Sequence, residues 1–146
     1  MEKKQNISKP EVLGVEDWRT NIDRLVPKCT MTVIKSIEDK GTIGLYFIPP
    51  GEMTNVFSME SEDDGTAEEY YGLCHEFYFV LCGECTMYWG KDTSEIKAEK
   101  SNKLVVRAGE VGYWSPGWKY APKNTGSVPL TFFWGITRPP EGTKRR

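Results

Sequence analysis

The stretch Glu76-Phe77-Tyr78-Phe79-Val80-Leu81-Cys82-Gly83-Glu84 leaves the chain little choice of fold. A run of aromatic and branched residues enters a glycine, the pattern of a strand running into a tight turn. A second unit of this kind follows. Gly109-Glu110-Val111-Gly112-Tyr113-Trp114-Ser115-Pro116-Gly117-Trp118-Lys119-Tyr120-Ala121-Pro122-Lys123-Asn124 reads as a turn, a strand, a Pro-Gly corner and another strand. Upstream, Met31, Val33 and Ile37 alternate with polar residues, and Ile43, Leu45 and Phe47 do so more clearly. Strands are expected at 77–81, 85–89, 103–107, 111–115 and 130–136. Pro49-Pro50-Gly51 is a turn, Lys91-Asp92-Thr93-Ser94 a loop, and the acidic, small-residue segment 60–69 an exposed loop. Val15, Trp18, Ile22 and Leu25 fall at helical spacing, which predicts a short amphipathic helix over 15–25, ended by Pro27. Many short strands with glycine and proline turns define an all-β sandwich or barrel.

The 146 residues suffice for one domain with a core. The reading divides them into an N-terminal arm, 1–14, a single domain, 15–138, and a C-terminal tail, 139–146. Nineteen Lys and Arg face 21 Asp and Glu, so charge gives no reason to expect nucleic acid or an anionic membrane as partner. Lys144-Arg145-Arg146 reads as a solvated tail. No apolar run reaches the roughly 20 residues of a membrane helix, and the polar N-terminus lacks an apolar signal core. A cytoplasmic location is expected. Cys82-Gly83-Glu84-Cys85 has Cys-x-x-Cys spacing, but it crosses a strand-to-strand turn and has no second pair, so ordinary reduced thiols are expected. There is no nucleophile elbow, phosphate loop or dinucleotide fingerprint.

The two strand–turn units resemble the paired motifs of the cupin superfamily. Glu76 and Gly83 stand at the first motif's spacing, with Val80-Leu81-Cys82-Gly83 as its signature. Gly109, Gly117 and Asn124 fall in register with the second, with Ser115 at its proline position and Tyr120 at its histidine position. The resemblance covers roughly residues 43–136. It implies a cupin-type antiparallel β-barrel, jelly-roll-like, here preceded by the short N-terminal helix.

The family's usual metal centre of three histidines and one glutamate does not carry over. His75 is the chain's one histidine, and only Glu76 stands in register. The missing His-x-His pair falls near residues 69–72 without an insertion. With Gly51 as the motif's opening glycine, the preferred placement, it falls on Phe57 and Met59. No cofactor is therefore expected. The alternative is a divalent transition metal held by His75, Glu76 and Tyr120, which needs irregular geometry, because neighbouring strand residues face opposite ways and a phenol titrates near 10.

Alternation places Glu76, Tyr78 and Val80 on one face. If that face is the interior, Glu76 is a carboxyl in an aromatic cavity with a raised pKa, suited to acid–base work. The competing reading is a structural glutamate bonded to Tyr120 or to backbone. In the functional reading Glu76 moves a proton, Tyr120 stabilises an oxyanion and His75 assists from the rim. Phe57, Met59, Tyr78, Tyr113, Ser115 and Trp118 would line the pocket. The expected function is binding of a small organic molecule, with non-redox isomerase or lyase chemistry. Two alternatives stand beside it: a metal-dependent oxygenase or related metalloenzyme with an atypical ligand set, and a non-catalytic ligand sensor. The aromatic supply and long apolar strands also predict a homodimer.

Overall fold

In a computed structural model of the chain, the described residues are 10–14, 19–22, 29–37, 41–58, 75–115 and 117–137. They form ten strands: β1 (Arg19–Ile22), β2 (Thr30–Ile37), β3 (Gly41–Ile48), β4 (Phe57–Ser58), β5 (His75–Cys82), β6 (Glu84–Gly90), β7 (Asn102–Arg107), β8 (Val111–Trp114), β9 (Lys119–Asn124) and β10 (Leu130–Thr137). One helix, α1 (Thr93–Lys97), stands among them. The strands make two antiparallel sheets, ordered β1-β2-β3-β10-β5-β8 and β4-β9-β6-β7.

Turn chemistry places the strands. Gly83 joins β5 to β6 at φ +88°, a left-handed conformation that side chains disfavour. Gly109 turns β7 into β8 at φ +87°, and the turn is closed by Glu110 N–H to the Arg107 carbonyl at 2.9 Å. The motif asparagine is a staple. Asn124 is fully buried, and its Nδ2 donates to the carbonyls of Ile48 and Val128, both at 2.8 Å, while its Oδ1 accepts from Gly126 N–H. One side chain thus ties the end of β3 to the turn between β9 and β10.

The core lies between the sheets and includes Val80, Met87, Tyr120, Leu130 and Phe132, none more than 1% exposed. A smaller cluster of Val56, Tyr88, Ile96 and Ala121 packs on the other face of β6 and β9. Ile96 anchors α1 there, and burying such a side chain stabilises by about 1.5–3 kcal/mol. Both faces of β6 are therefore covered, as its run of buried residues requires.

Three expectations need correction. Arg19–Ile22 is a strand paired with β2, so the helix expected over 15–25 does not form there; the rest of that segment lies outside the described residues. Four apolar residues at one per helical turn are a weak stripe, and pairing with Thr30–Val33 outweighs it. The loop expected at 91–94 instead opens α1: the Asp92 carboxylate accepts the Glu95 N–H at 3.0 Å, an N-cap. The expected closed barrel is a pair of facing sheets. Among the described residues no ladder joins them.

Candidate functional site

The alternation of β5 resolves as expected. Glu76, Tyr78 and Val80 face the interior, and His75 and Phe79 face out. Glu76 is 4% exposed. Across the space between the sheets, β9 supplies Tyr120, whose hydroxyl donates to Glu76 Oε2. Beside Glu76 in its own sheet, the register sets Trp114 on β8 and Ile136 on β10. Trp114 stacks on Tyr120, with centroids 5.4 Å apart and planes 24° from parallel. Tyr78 stacks on Phe132 at 4.3 Å and meets Tyr120 and Trp114 edge-on. Phe57, opposite Tyr120 in the β4–β9 pair, tilts against its ring at 5.7 Å. Glu76 is thus enclosed by aromatic rings.

Burial decides the electrostatics. It pushes Glu76 from 4.5 up to about 8, against the lowering effect of hydrogen bonds from Tyr120 and Tyr78. Tyr78 is held well above its ordinary value, first by burial and then by the charge of Glu76. Burial pushes the Cys85 thiol up to about 12. At neutral pH these three groups are mainly protonated and uncharged. Glu76 alone changes state near physiological pH. Among the described residues, the buried indole N–H groups of Trp114 and Trp134 have no hydrogen-bond partner.

The structure brings together Glu76, Tyr120, Tyr78 and Phe57 of the sequence-derived set. It places His75 and Tyr113 on the opposite face of the sheet, where the His75 Nδ1 and the Tyr113 hydroxyl hydrogen-bond and the rings stack at 5.7 Å. Ser115 is half-buried just beyond β8. Trp118 meets Trp89 edge-on at 5.0 Å and carries Lys91 over its ring at 4.3 Å. Met59 lies outside the described residues. Sequence reasoning left Trp114, Phe132 and Trp134 out of the site. Strand parity relative to Glu76 could have found them, but both parities of these strands are apolar.

The donor set does not fit a cupin metal centre. His75 points away from Glu76, the Tyr120 hydroxyl is engaged as a donor to the carboxylate, and Phe57 presents a ring without a donor atom. Among the described residues no three His, Cys, Asp or Glu side chains are grouped to hold a metal ion.

No protein-family model and no curated protein sequence matches the chain. Solved structures do. A conserved protein with a double-stranded β-helix domain from Klebsiella pneumoniae is similar, with TM-score 0.57, 14% identity, and coverage of 75% of this chain and 76% of that one. A predicted oxalate decarboxylase from Thermotoga maritima gives TM-score 0.56 and 18% identity over 76% and 81%. The cupin domain of a transcriptional regulator from Enterobacter cloacae gives 0.54 and 14% over 77% and 99%. At these identities the likeness is one of architecture, and it agrees with the motif glycines and the facing sheets. The chain has the fold of a cupin domain, with phenols and indoles around its motif glutamate where the family resemblance calls for imidazoles.

Proposed function

We propose that the chain is a small-molecule-binding cupin domain whose interior site is built on Glu76, Tyr78 and Tyr120. One observation carries the reading: a buried carboxyl, kept mainly protonated at neutral pH by burial, has phenol hydroxyls as its partners among the described residues. A structural ion pair would need a cation, and among the described residues none is paired with it. The site suits an uncharged, flat organic molecule bearing a carbonyl. Aromatic walls take its faces, and the protonated Glu76, itself accepting from Tyr120, donates to its oxygen. For a ligand with an acidic C–H between that carbonyl and a C=C bond, the ionised form of Glu76 takes the proton, and Tyr120 turns its hydroxyl from the newly protonated carboxyl to the dienolate oxygen. Return of the proton to another carbon completes an isomerisation without redox change. A base titrating near 8 is stronger than an ordinary carboxylate.

Phe57 is half-buried beside the Tyr120 ring. The neighbours include a predicted oxalate decarboxylase and a domain of a transcriptional regulator, so the fold occurs in catalytic and regulatory settings and does not choose between them. The sensor reading therefore remains as the form of the proposal without turnover.

The test is a thermal-shift screen of uncharged carbonyl compounds against the wild type, Glu76→Gln and Tyr120→Phe. A ligand present at about 100 times its Kd adds about 2.7 kcal/mol, an easily read shift. Tyr120→Phe is expected to cost only about 0.5–1.5 kcal/mol of stability while weakening binding sharply. A ligand whose affinity survives both substitutions binds elsewhere and ends the proposal.

A further inference from the structure

Among the described residues, three buried side-chain donors have no hydrogen-bond partner, and all three are indole N–H groups: those of Trp89, Trp114 and Trp134. Their places are not scattered. Trp114 stands directly opposite Glu76 in the β5–β8 ladder, Trp134 opposite Tyr78 in the β5–β10 ladder, and Trp89 opposite Tyr120 in the β6–β9 ladder. Residues directly opposed across an antiparallel pair share a face, with Cβ atoms about 4.5–5.5 Å apart. Each polar member of the interior site therefore has an indole beside it. Facing sheets pack about 10 Å apart, so the indoles of the two sheets border one space. The ring edge that carries the Trp134 N–H rests on Gly44, where a Cβ would stand 2.7 Å from Cε2. In Trp114 the same edge lies over Gly112, with Cε2 at 3.6 Å from such a Cβ. Neither glycine supplies a side-chain acceptor. Buried donors without a partner are costly, and native proteins hold few of them.

We infer that Trp89, Trp114 and Trp134 are ligand-binding residues, and that the ligand of the interior site is a flat, uncharged dicarbonyl compound with one oxygen at Glu76 and the other at the indoles. The inference rests on the interior site proposed for Glu76, Tyr78 and Tyr120. An indole N–H donates and cannot accept. The acid proton of Glu76 is a donor as well, so the site asks its ligand for acceptors. One carbonyl answers Glu76 and leaves the indoles unmatched. A second carbonyl oxygen has two lone pairs and can accept from two of them. An amine would set donor against donor. A carboxylate would bring a buried charge, and among the described residues no Lys or Arg is buried to pair with it. The aromatic rings that enclose Glu76 take the faces of the molecule, and the indole N–H groups take its edge.

The test is nitrogen–proton NMR of the full chain with labelled indoles, titrated with N-methylphthalimide and with N-methylisoindolinone. The second compound is the same frame with one carbonyl fewer, and neither carries a donor or a charge. The phthalimide is expected to bind at least ~10-fold more tightly. Its binding is expected to move the indole N–H signals of Trp114 and Trp134 downfield, as a new hydrogen bond does. Trp114→Phe and Trp134→Phe should bring the ratio of the two affinities toward one. Where phenylalanine is too small for the fold to hold, benzothienylalanine at the same position keeps the ring shape and removes the N–H. Equal affinities in the wild type overturn the proposal; if both then weaken in Glu76→Gln, the interior site stands without it. Indole signals that stay in place while the phthalimide binds belong to donors held by trapped water, which overturns it too. A pair of compounds that leaves the spectrum unchanged overturns it as well, and the thermal-shift screen then judges the interior site separately.

Discussion

Replacing Glu76 by glutamine keeps the shape of the side chain and an acceptor for the Tyr120 hydroxyl, and removes the titrating proton. The folded-state value of Glu76 is about 8 and its ordinary value 4.5. Between these, the unfolded chain has released the proton and the folded chain still holds it. Stability of the wild type must therefore fall as pH rises through that window, by about 1.4 kcal/mol for each pH unit. Below 4.5 both states are protonated, and above 8 both are ionised, so the dependence levels off at each end. The full span is on the order of 4–5 kcal/mol, an upper figure because a newly formed carboxylate can draw in water or shift toward a partner. That is comparable with the entire stability of many domains. Glu76→Gln lacks the dependence. The assay is urea unfolding of both proteins at several pH values from 5 to 8.5, read as the difference between them, so that other titrating groups cancel. The glutamine variant should gain on the wild type steadily toward pH 8, by up to about 1.4 kcal/mol of unfolding free energy for each pH unit. A difference that stays flat across the window would mean that Glu76 ionises as it does in water, and the enclosed-carboxyl argument would fail.

Asn124→Ala leaves the carbonyls of Ile48 and Val128 without their shared donor, and should cost about 2–4 kcal/mol by denaturant titration. Gly44→Ala should cost about 1–3 kcal/mol in the same assay, because a Cβ there would stand 2.1 Å from the Thr32 carbonyl oxygen and 2.5 Å from the Trp134 indole. Cys85 should resist maleimide at neutral pH in the native protein and react once the chain is unfolded, since it is 1% exposed and its thiol is pushed up to about 12; mass spectrometry of the labelled peptides reads this directly.

The sheet that carries the candidate site was legible where turn residues and parity agree. In β5, alternation alone set Glu76 and Tyr78 on one face and His75 on the other, and burial shows the first face to be the inner one. In β8 the residues Val111, Tyr113 and Trp114 are large on both parities, so alternation has no phase. The inward member, Trp114, emerged only from its register opposite Glu76. Phe132, Phe133 and Trp134 pose the same difficulty in β10, whose two faces are both apolar. Such double-sided strands are also why the outer face could not be separated from the core by composition. The N-terminal helix failed for another reason: the partner that makes Arg19–Ile22 a strand is β2, and local spacing does not report a ladder. The start of α1 was missed as well: the loop expected over 91–94 contains Asp92, whose carboxylate caps the Glu95 N–H.

The place of β10 bears on how the molecule acquires its structure. It is the last of the described strands in chain order, yet it lies between β3 and β5 at the middle of the larger sheet. Until it arrives, β3 and β5 have no common neighbour, and the hydrogen-bonding groups along their facing edges are unpaired. Its pairing with β3 joins Leu130 to Ile48 and Thr137 to Gly41, contacts that span most of the described chain. Closing loops of that length before any reward is collected puts the domain among slow folders, in the millisecond-to-second class of β-proteins of high contact order. During that interval two apolar strands with open edges are available to other chains, which makes the waiting state, rather than the finished sheet, the species most prone to aggregate.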